Sequence, residues 1–159
     1  MAHGTRSIDF GECVGMDVVR RNTDYAVRLM VNLARRYGDG PVSTRTASTE
    51  EQVSYQLACK LMQSLQKARL LRSTMGPKGG FCLGREPSEI SLLDIISAIQ
   101  GPVSLNRCIL VPKVCPQHKT CTVRNKLAEL QKGINDSLAN ITLEDLLHKP
   151  RSQRKTKRK

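Results

Sequence analysis

A helical stripe that runs straight into a glycine-rich hairpin constrains this chain more than any other feature. Leu57, Leu61, Met62, Leu65 and Ala68 fall on one face of a helix that begins near Ser54. Leu70-Leu71-Arg72-Ser73-Thr74 follows at once, then Met75-Gly76-Pro77-Lys78-Gly79-Gly80, then Phe81-Cys82-Leu83. A Gly/Pro turn between two short apolar-containing runs predicts a β-hairpin. Upstream, the polar run from Ser43 to Glu51 predicts a short, weakly patterned helix. Two short helices joined by a tight turn make a helix-turn-helix pattern, and a hairpin directly behind the second helix reads as a wing.

The remaining elements frame this unit. Asn22-Thr23-Asp24 opens a first helix carrying Tyr25, Ala26, Leu29, Met30, Leu33 and Ala34, closed by Gly38-Asp39-Gly40-Pro41. Ser91 or Ser88 caps a fourth helix through Leu92, Leu93, Ile95, Ile96 and Ile99, which Gly101-Pro102 ends. From Thr122 onward Val123, Leu127, Leu130, Ile134, Leu138 and Ile141 are spaced 4, 3, 4, 4 and 3. That near-heptad seam suits a dimerisation helix; the alternative is that it packs onto its own domain. Leu143–Leu147 adds one more helical turn. The expected fold is mainly α, a winged helix-turn-helix domain with a long C-terminal dimerisation helix. Residues 1–15 read as a disordered extension, with Met16 a candidate for the natural start. Residues 16–104 form the winged helix-turn-helix DNA-binding domain, 105–121 a cluster-binding loop, 122–147 the dimerisation helix and short terminal helix, and 148–159 a basic disordered tail.

Composition narrows the class. With no Trp, two Phe and three Tyr in 159 residues, the core must be aliphatic, which suits packed helices. The net charge is +12, and seven Lys/Arg lie between His148 and Lys159 with no acid among them. The rest of the chain is still basic, a balance that favours nucleic acid or an anionic membrane surface. No apolar run approaches the roughly 20 residues needed to cross a bilayer, and Met1–Gly15 lacks a signal-peptide core. A cytoplasmic location follows as the expectation, with the six cysteines serving as thiols or metal ligands rather than disulfides. Paired carboxylates, a Ser/His/Asp set, a Walker loop and a Rossmann fingerprint are all missing, so an enzyme is the weakest class.

Three cysteines, Cys108, Cys115 and Cys121, share one 14-residue Pro- and Lys-rich stretch, whereas Cys13, Cys59 and Cys82 are isolated. Cys59 and Cys82 read as ordinary small residues beside the core. Thiolates gathered in a loop can hold an iron–sulfur cluster or zinc. Zinc prefers four ligands, and His118 is at hand as the fourth. Gaps of six and five residues suit an iron–sulfur cluster better than a zinc knuckle, which usually contains Cys-x-x-Cys. A zinc-stabilised or thiol-based DNA-binding or adaptor protein is the competing class. For DNA, Ser54, Tyr55 and Gln56 at the recognition-helix start are placed to meet base edges or phosphates, although Ser54 also serves as an N-cap. Lys60 on the exposed side suits a phosphate. Arg72, Lys78 and Gly79 belong to the wing, where a duplex backbone or minor groove is approached.

In this order the elements resemble the Rrf2 family of iron–sulfur regulators (IscR, NsrR and RirA types). The resemblance rests on Thr23-Asp24-Tyr25-Ala26, Val53-Ser54, Lys60-Leu61-Met62, Leu65-Gln66-Lys67-Ala68 and the wing Gly76-Pro77-Lys78-Gly79-Gly80-Phe81. It continues through Ile90-Ser91-Leu92-Leu93-Asp94-Ile95-Ile96, the three cysteines and Ile141-Thr142-Leu143. It implies a winged-helix homodimer on a near-palindromic double-stranded DNA operator, away from membranes. One iron–sulfur cluster per subunit (2Fe-2S or 4Fe-4S) is implied, ligated by Cys108, Cys115 and Cys121. Asp24 matches the aspartate that completes the site from the partner subunit in nitric-oxide-sensing members. The departures are specific. The cysteine gaps are slightly wider than the commonest family spacing, and Arg124 stands where some members carry a histidine ligand. Cys59 occupies the position of a base-discriminating glutamate, and Met75 that of a wing arginine.

Overall fold

The computed structural model describes residues 18–111, 116–117 and 119–147. Cys13, Met16, Cys115, His118, residues 1–15 and the tail 148–159 lie outside the described residues, so the expectations placed on them do too. Among the described residues six α-helices and one hairpin follow in order: α1 (Arg21–Ala34), α2 (Thr44–Glu50), α3 (Tyr55–Lys67), β1 (Leu71–Thr74), β2 (Gly80–Leu83), α4 (Leu92–Gln100), α5 (Arg107–Leu110) and α6 (Thr122–Asn140). The mainly helical, winged helix-turn-helix class expected from the sequence is the observed one.

Local chemistry sets the helix starts. Ser43 caps α2 by accepting from the Thr46 N–H at 3.1 Å, and Ser54 caps α3 by accepting from Leu57 N–H at 3.4 Å. Between the two candidates for α4, the structure selects Ser91. Its hydroxyl accepts from Asp94 N–H while the Asp94 carboxylate accepts from Ser91 N–H, a reciprocal box satisfying two orphan donors. Ser88 instead falls in a short 3-10 turn. Helix α1 starts one residue before the Asn22 expected from the sequence, on Arg20, which gives no side-chain cap.

The aliphatic core is built where the helical stripes meet. Leu29, Met30, Met62, Leu65 and Ile95 are fully enclosed, joining α1, α3 and α4. Ala68 leaves the expected stripe: it is exposed, because α3 has already ended at Lys67 and Ala68 is its C-cap. The hairpin pairs Leu71 with Leu83 and Thr74 with Gly80, so Leu71 and Leu83 face the core while Arg72 faces out. Phe81 also exchanges two backbone hydrogen bonds with Val42, at 2.9 Å each, fastening the wing to the entry of α2. Gly80 is obligatory at that junction, because a Cβ there would lie 2.2 Å from the Val42 oxygen. After α6 the chain returns to the domain: Leu143 is fully buried and its N–H reaches the Ile90 oxygen at 2.8 Å. Residues Leu143–Leu147 form turns rather than a further helix.

Candidate nucleic-acid interface and cysteine site

The start of α3 presents polar groups to solvent while its opposite face is buried. Tyr55 is about half exposed, and Gln56 and Lys60 are exposed beside it. The Arg45 guanidinium of α2 lies over the Tyr55 ring, 5.3 Å from its centroid, so a cation and a phenol from both helices share one surface. A hydrogen bond with the Cys59 thiol raises the Tyr55 phenol above its ordinary value, leaving it a neutral donor at physiological pH. Cys59, one turn along α3, is half-buried and neighbours Tyr55. Sequence patterning missed Arg45, because α2 has no apolar periodicity to orient it. In the wing, Arg72, Met75 and Lys78 are all exposed, and Met75 is almost wholly so. A Cβ on Gly79 would lie 2.3 Å from the Thr74 oxygen, which fixes the wing's tight turn.

A polar lattice centred on buried Asn32 holds α2 to α1. Asn32, almost fully buried, donates to Glu50 at 2.8 Å and Glu51 at 3.1 Å, and Arg36 donates to Asn32 and Glu50. Arg28 reaches the Glu51 backbone oxygen and pairs with its carboxylate. These bonds hold Glu50 below the ordinary carboxylate range, the Arg36 hydrogen bond being the largest cause and the Asn32 bond the next.

Cys108 lies in the one-turn helix α5, which the sequence reading did not anticipate, and Cys121 is the N-cap of α6. Both are half-buried free thiols. Asn106 starts α5 by accepting from Cys108 N–H at 3.3 Å, a cap residue that could have signalled the turn. The Cys121 sulfur accepts from Arg124 N–H at 3.4 Å, and Arg124 Nε donates to the Cys108 oxygen at 3.2 Å. One residue thus ties both cysteine segments together. Among the described residues no group of three or more Cys, His, Asp and Glu side chains is gathered as a metal site; Cys115 lies outside them. Asp24 is exposed in the first turn of α1.

Two glutamines make long-range hydrogen bonds on either side of the loop. Gln100, the last residue of α4, accepts from Thr23 Oγ1 at 2.7 Å and Arg20 N–H at 3.0 Å, and donates to the Val18 oxygen at 2.9 Å. Gln131, buried on α6, accepts from Leu105 N–H at 2.7 Å. Neither was legible as a site residue, since a lone Gln on a helix carries no pattern.

Comparison with known proteins agrees with this architecture. The model of the Rrf2 family, described as iron-dependent transcriptional regulators, matches residues 19–149. The regulator CymR of Bacillus subtilis is 30% identical over 122 residues, 77% of this chain and 83% of CymR. The regulator IscR of Pectobacterium atrosepticum is 32% identical over 124 residues, 78% of this chain and 75% of IscR. Among solved structures, CymR, the global cysteine regulator of B. subtilis, superposes with a TM-score of 0.70 at 27% identity over 81% of this chain and 95% of CymR. T. potens IscR gives 0.65 at 29% identity over 81% and 85%. Among the described residues no helix is long and apolar enough to cross a membrane. The chain belongs to the Rrf2 family of DNA-binding transcriptional regulators.

Proposed function

We propose that this regulator binds a double-stranded operator as a homodimer and switches with an iron–sulfur cluster, one per subunit, acting as a repressor in the loaded state. The observation that carries this reading is the bracing of Cys108 and Cys121 by Arg124, with Cys115 between them in the chain. The donor set fits such a group: two half-buried thiols on adjoining segments, one of them at the positive end of a 19-residue helix where an anionic ligand is favoured. Cys108, Cys115 and Cys121 would hold the cluster, with Asp24 of the opposite subunit as the fourth ligand. When bound, the cluster supplies a centre open to iron supply, redox state or nitric oxide.

The chain's own residues do the rest. Ser54, Tyr55 and Gln56 read the major groove, Lys60 meets phosphate, and Arg72, Lys78 and Gly79 shape the wing's approach to the adjacent backbone. The α6 seam supports the dimer reading. α6 buries Gln131 within its own chain, while Leu130 is 61% exposed and lines an open apolar groove with Ile134 and Leu138. Two such grooves facing each other would cover one another's leucines.

Anaerobic absorption spectra with iron, sulfide and zinc analysis test the cofactor. A brown protein with a broad band near or above about 400 nm, containing iron and sulfide, is expected. A colourless protein with stoichiometric zinc overturns the reading. A colourless, metal-free protein whose DNA affinity follows thiol oxidation favours a thiol-based switch. That second reading is supported by the free thiols and by the likeness to CymR, whose Staphylococcus aureus homologue has been solved in an oxidized form (TM-score 0.66, 26% identity, 82% of this chain and 96% of that one).

A further inference from the structure

At the root of the wing, where α3 ends and β1 begins, an open recess of about 810 Å³ is lined by Arg69, Arg72 and Arg85 with Gln66 and Ser73. Three arginines and no acidic residue are among the residues that line it. Among the described residues no salt bridge engages any of the three; Arg85 makes only a long 3.5 Å contact to the Glu89 backbone oxygen. Arg28, Arg35 and Arg36, by contrast, are each paired with Glu50 or Glu51. The three at the wing root are left to an outside anion.

The backbone at Arg69 adds an independent observation. Arg69 follows the α3 C-cap with φ 59°, the left-handed conformation at which helices usually place glycine. A side chain there is strained relative to glycine. Attraction to the helix dipole accounts for one cation at this end. It does not account for Arg72 of β1 and Arg85 just beyond β2 lining the same recess. The floor is preorganised for an oxyanion as well: Gln66 Nε2 donates to Ser73 Oγ at 2.8 Å, which leaves the Ser73 hydroxyl proton free to donate outward.

We propose that this recess is a phosphate site that grips the DNA backbone where it passes from the groove read by α3 to the groove approached by the wing. The recess adjoins both reading elements at the end away from their tips, Gln66 lying in the last turn of α3 and Ser73 in β1. A strand leaving one groove for the next presents phosphates to the space between helix and hairpin, and planar guanidinium groups match phosphate oxygens two at a time. The site adds affinity and register without reading sequence. It rests on the DNA-binding reading above and assigns Arg69 and Arg85 a part in it.

Fluorescence anisotropy on a mixed-sequence 30-base-pair duplex, across a potassium chloride series, tests the assignment with the full chain. Arg69→Gly relieves the left-handed backbone and Arg85→Gln keeps a polar stem, so the double variant should melt at or above the wild-type temperature. Its slope of log affinity against log salt should be shallower by about 0.9 for each phosphate it no longer neutralises, and its affinity at low salt about 10-fold or more weaker. An unchanged slope and affinity in a folded double variant overturns the proposal. So does a site for a free anion, seen as stabilisation by inorganic phosphate that the variant loses while its salt slope stays wild-type. A wild-type protein that binds no duplex at all instead defeats the DNA-binding reading, a distinguishable failure.

Discussion

Arg124 Nε donates to the backbone oxygen of Cys108 at 3.2 Å, joining the first turn of α6 to a segment 16 residues earlier. Because the Arg124 N–H also reaches the Cys121 sulfur, the side chain and the backbone of one residue fix both described cysteines of the triplet. A guanidinium stays protonated and cannot ligate a metal, so its contribution is to hold the thiols in place. Arg124→Leu should therefore leave the winged domain folded while loosening the cysteine loop. Alkylation of Cys108 by iodoacetamide in the metal-free protein should accelerate several-fold, with an unchanged melting temperature of the core, while Cys121 keeps the backbone N–H of residue 124 and serves as the internal control. Equal Cys108 alkylation rates in both proteins would remove Arg124 from this role.

The α1–α2 lattice makes stability depend on acid. Glu50 is held below its ordinary value of 4.5 by Arg36 and Asn32, so it binds a proton less readily folded than unfolded. Its contribution is present above about pH 4.5 and is lost as the pH falls through the lower folded value. Melting temperature should decline on acidification through that window, and Glu50→Gln should flatten this part of the profile. A wild-type slope in Glu50→Gln would show that other carboxylates govern acid unfolding.

Helix α6 divides its residues between two partners. Gln131 turns inward to Leu105, whereas Leu130 faces solvent in an isolated chain. Leu130→Asp should yield monomers by sedimentation velocity and weaken duplex binding by two orders of magnitude or more, because each subunit would then engage a half-site alone. A dimeric, DNA-competent Leu130→Asp protein would assign the seam to internal packing.

The winged helix-turn-helix was readable because it is built from local rules. Ser43, Ser54 and Ser91 announce helix starts, Leu61, Met62 and Leu65 keep helical period, and Gly79 and Gly80 occupy places a Cβ would fill. The seam of α6 was readable as periodicity, but its division into an exposed Leu130 and a buried Gln131 depends on which surface the helix meets. The residues that tie the cysteine loop and the start of α1 to the domain were not readable. Gln100, Gln131 and Arg124 act across 77, 26 and 16 residues of sequence respectively, and a polar side chain with a distant partner leaves no periodic trace. Arg69 is a similar case: its meaning lies in a positive φ and in two arginines brought beside it by the hairpin.

The fourth ligand gives the sharpest test of the switch. In the proposed cluster site three thiolates would leave one iron position to fill, with Asp24 and His118 as the protein candidates. Asp24 sits exposed in the first turn of α1, open to another subunit, next to fully buried Thr23, which Gln100 clasps at 2.7 Å. That clasp connects the end of α4, just before the cysteine segment, to the start of α1. A ligand arriving from the opposite α1 would therefore link cofactor chemistry to the relative placement of two domains, and so to recognition helices set against half-sites about one DNA turn apart. Asp24→Ala, reconstituted anaerobically, should retain iron, show an altered absorption spectrum and bind duplex more weakly. Gln100→Leu should reproduce the loosened binding with a smaller spectral change, since it displaces the ligand's helix without removing the carboxylate. An Asp24→Ala protein with wild-type spectrum and affinity, beside a His118→Ala protein that loses both, would transfer the fourth position to His118 and end the cross-subunit account.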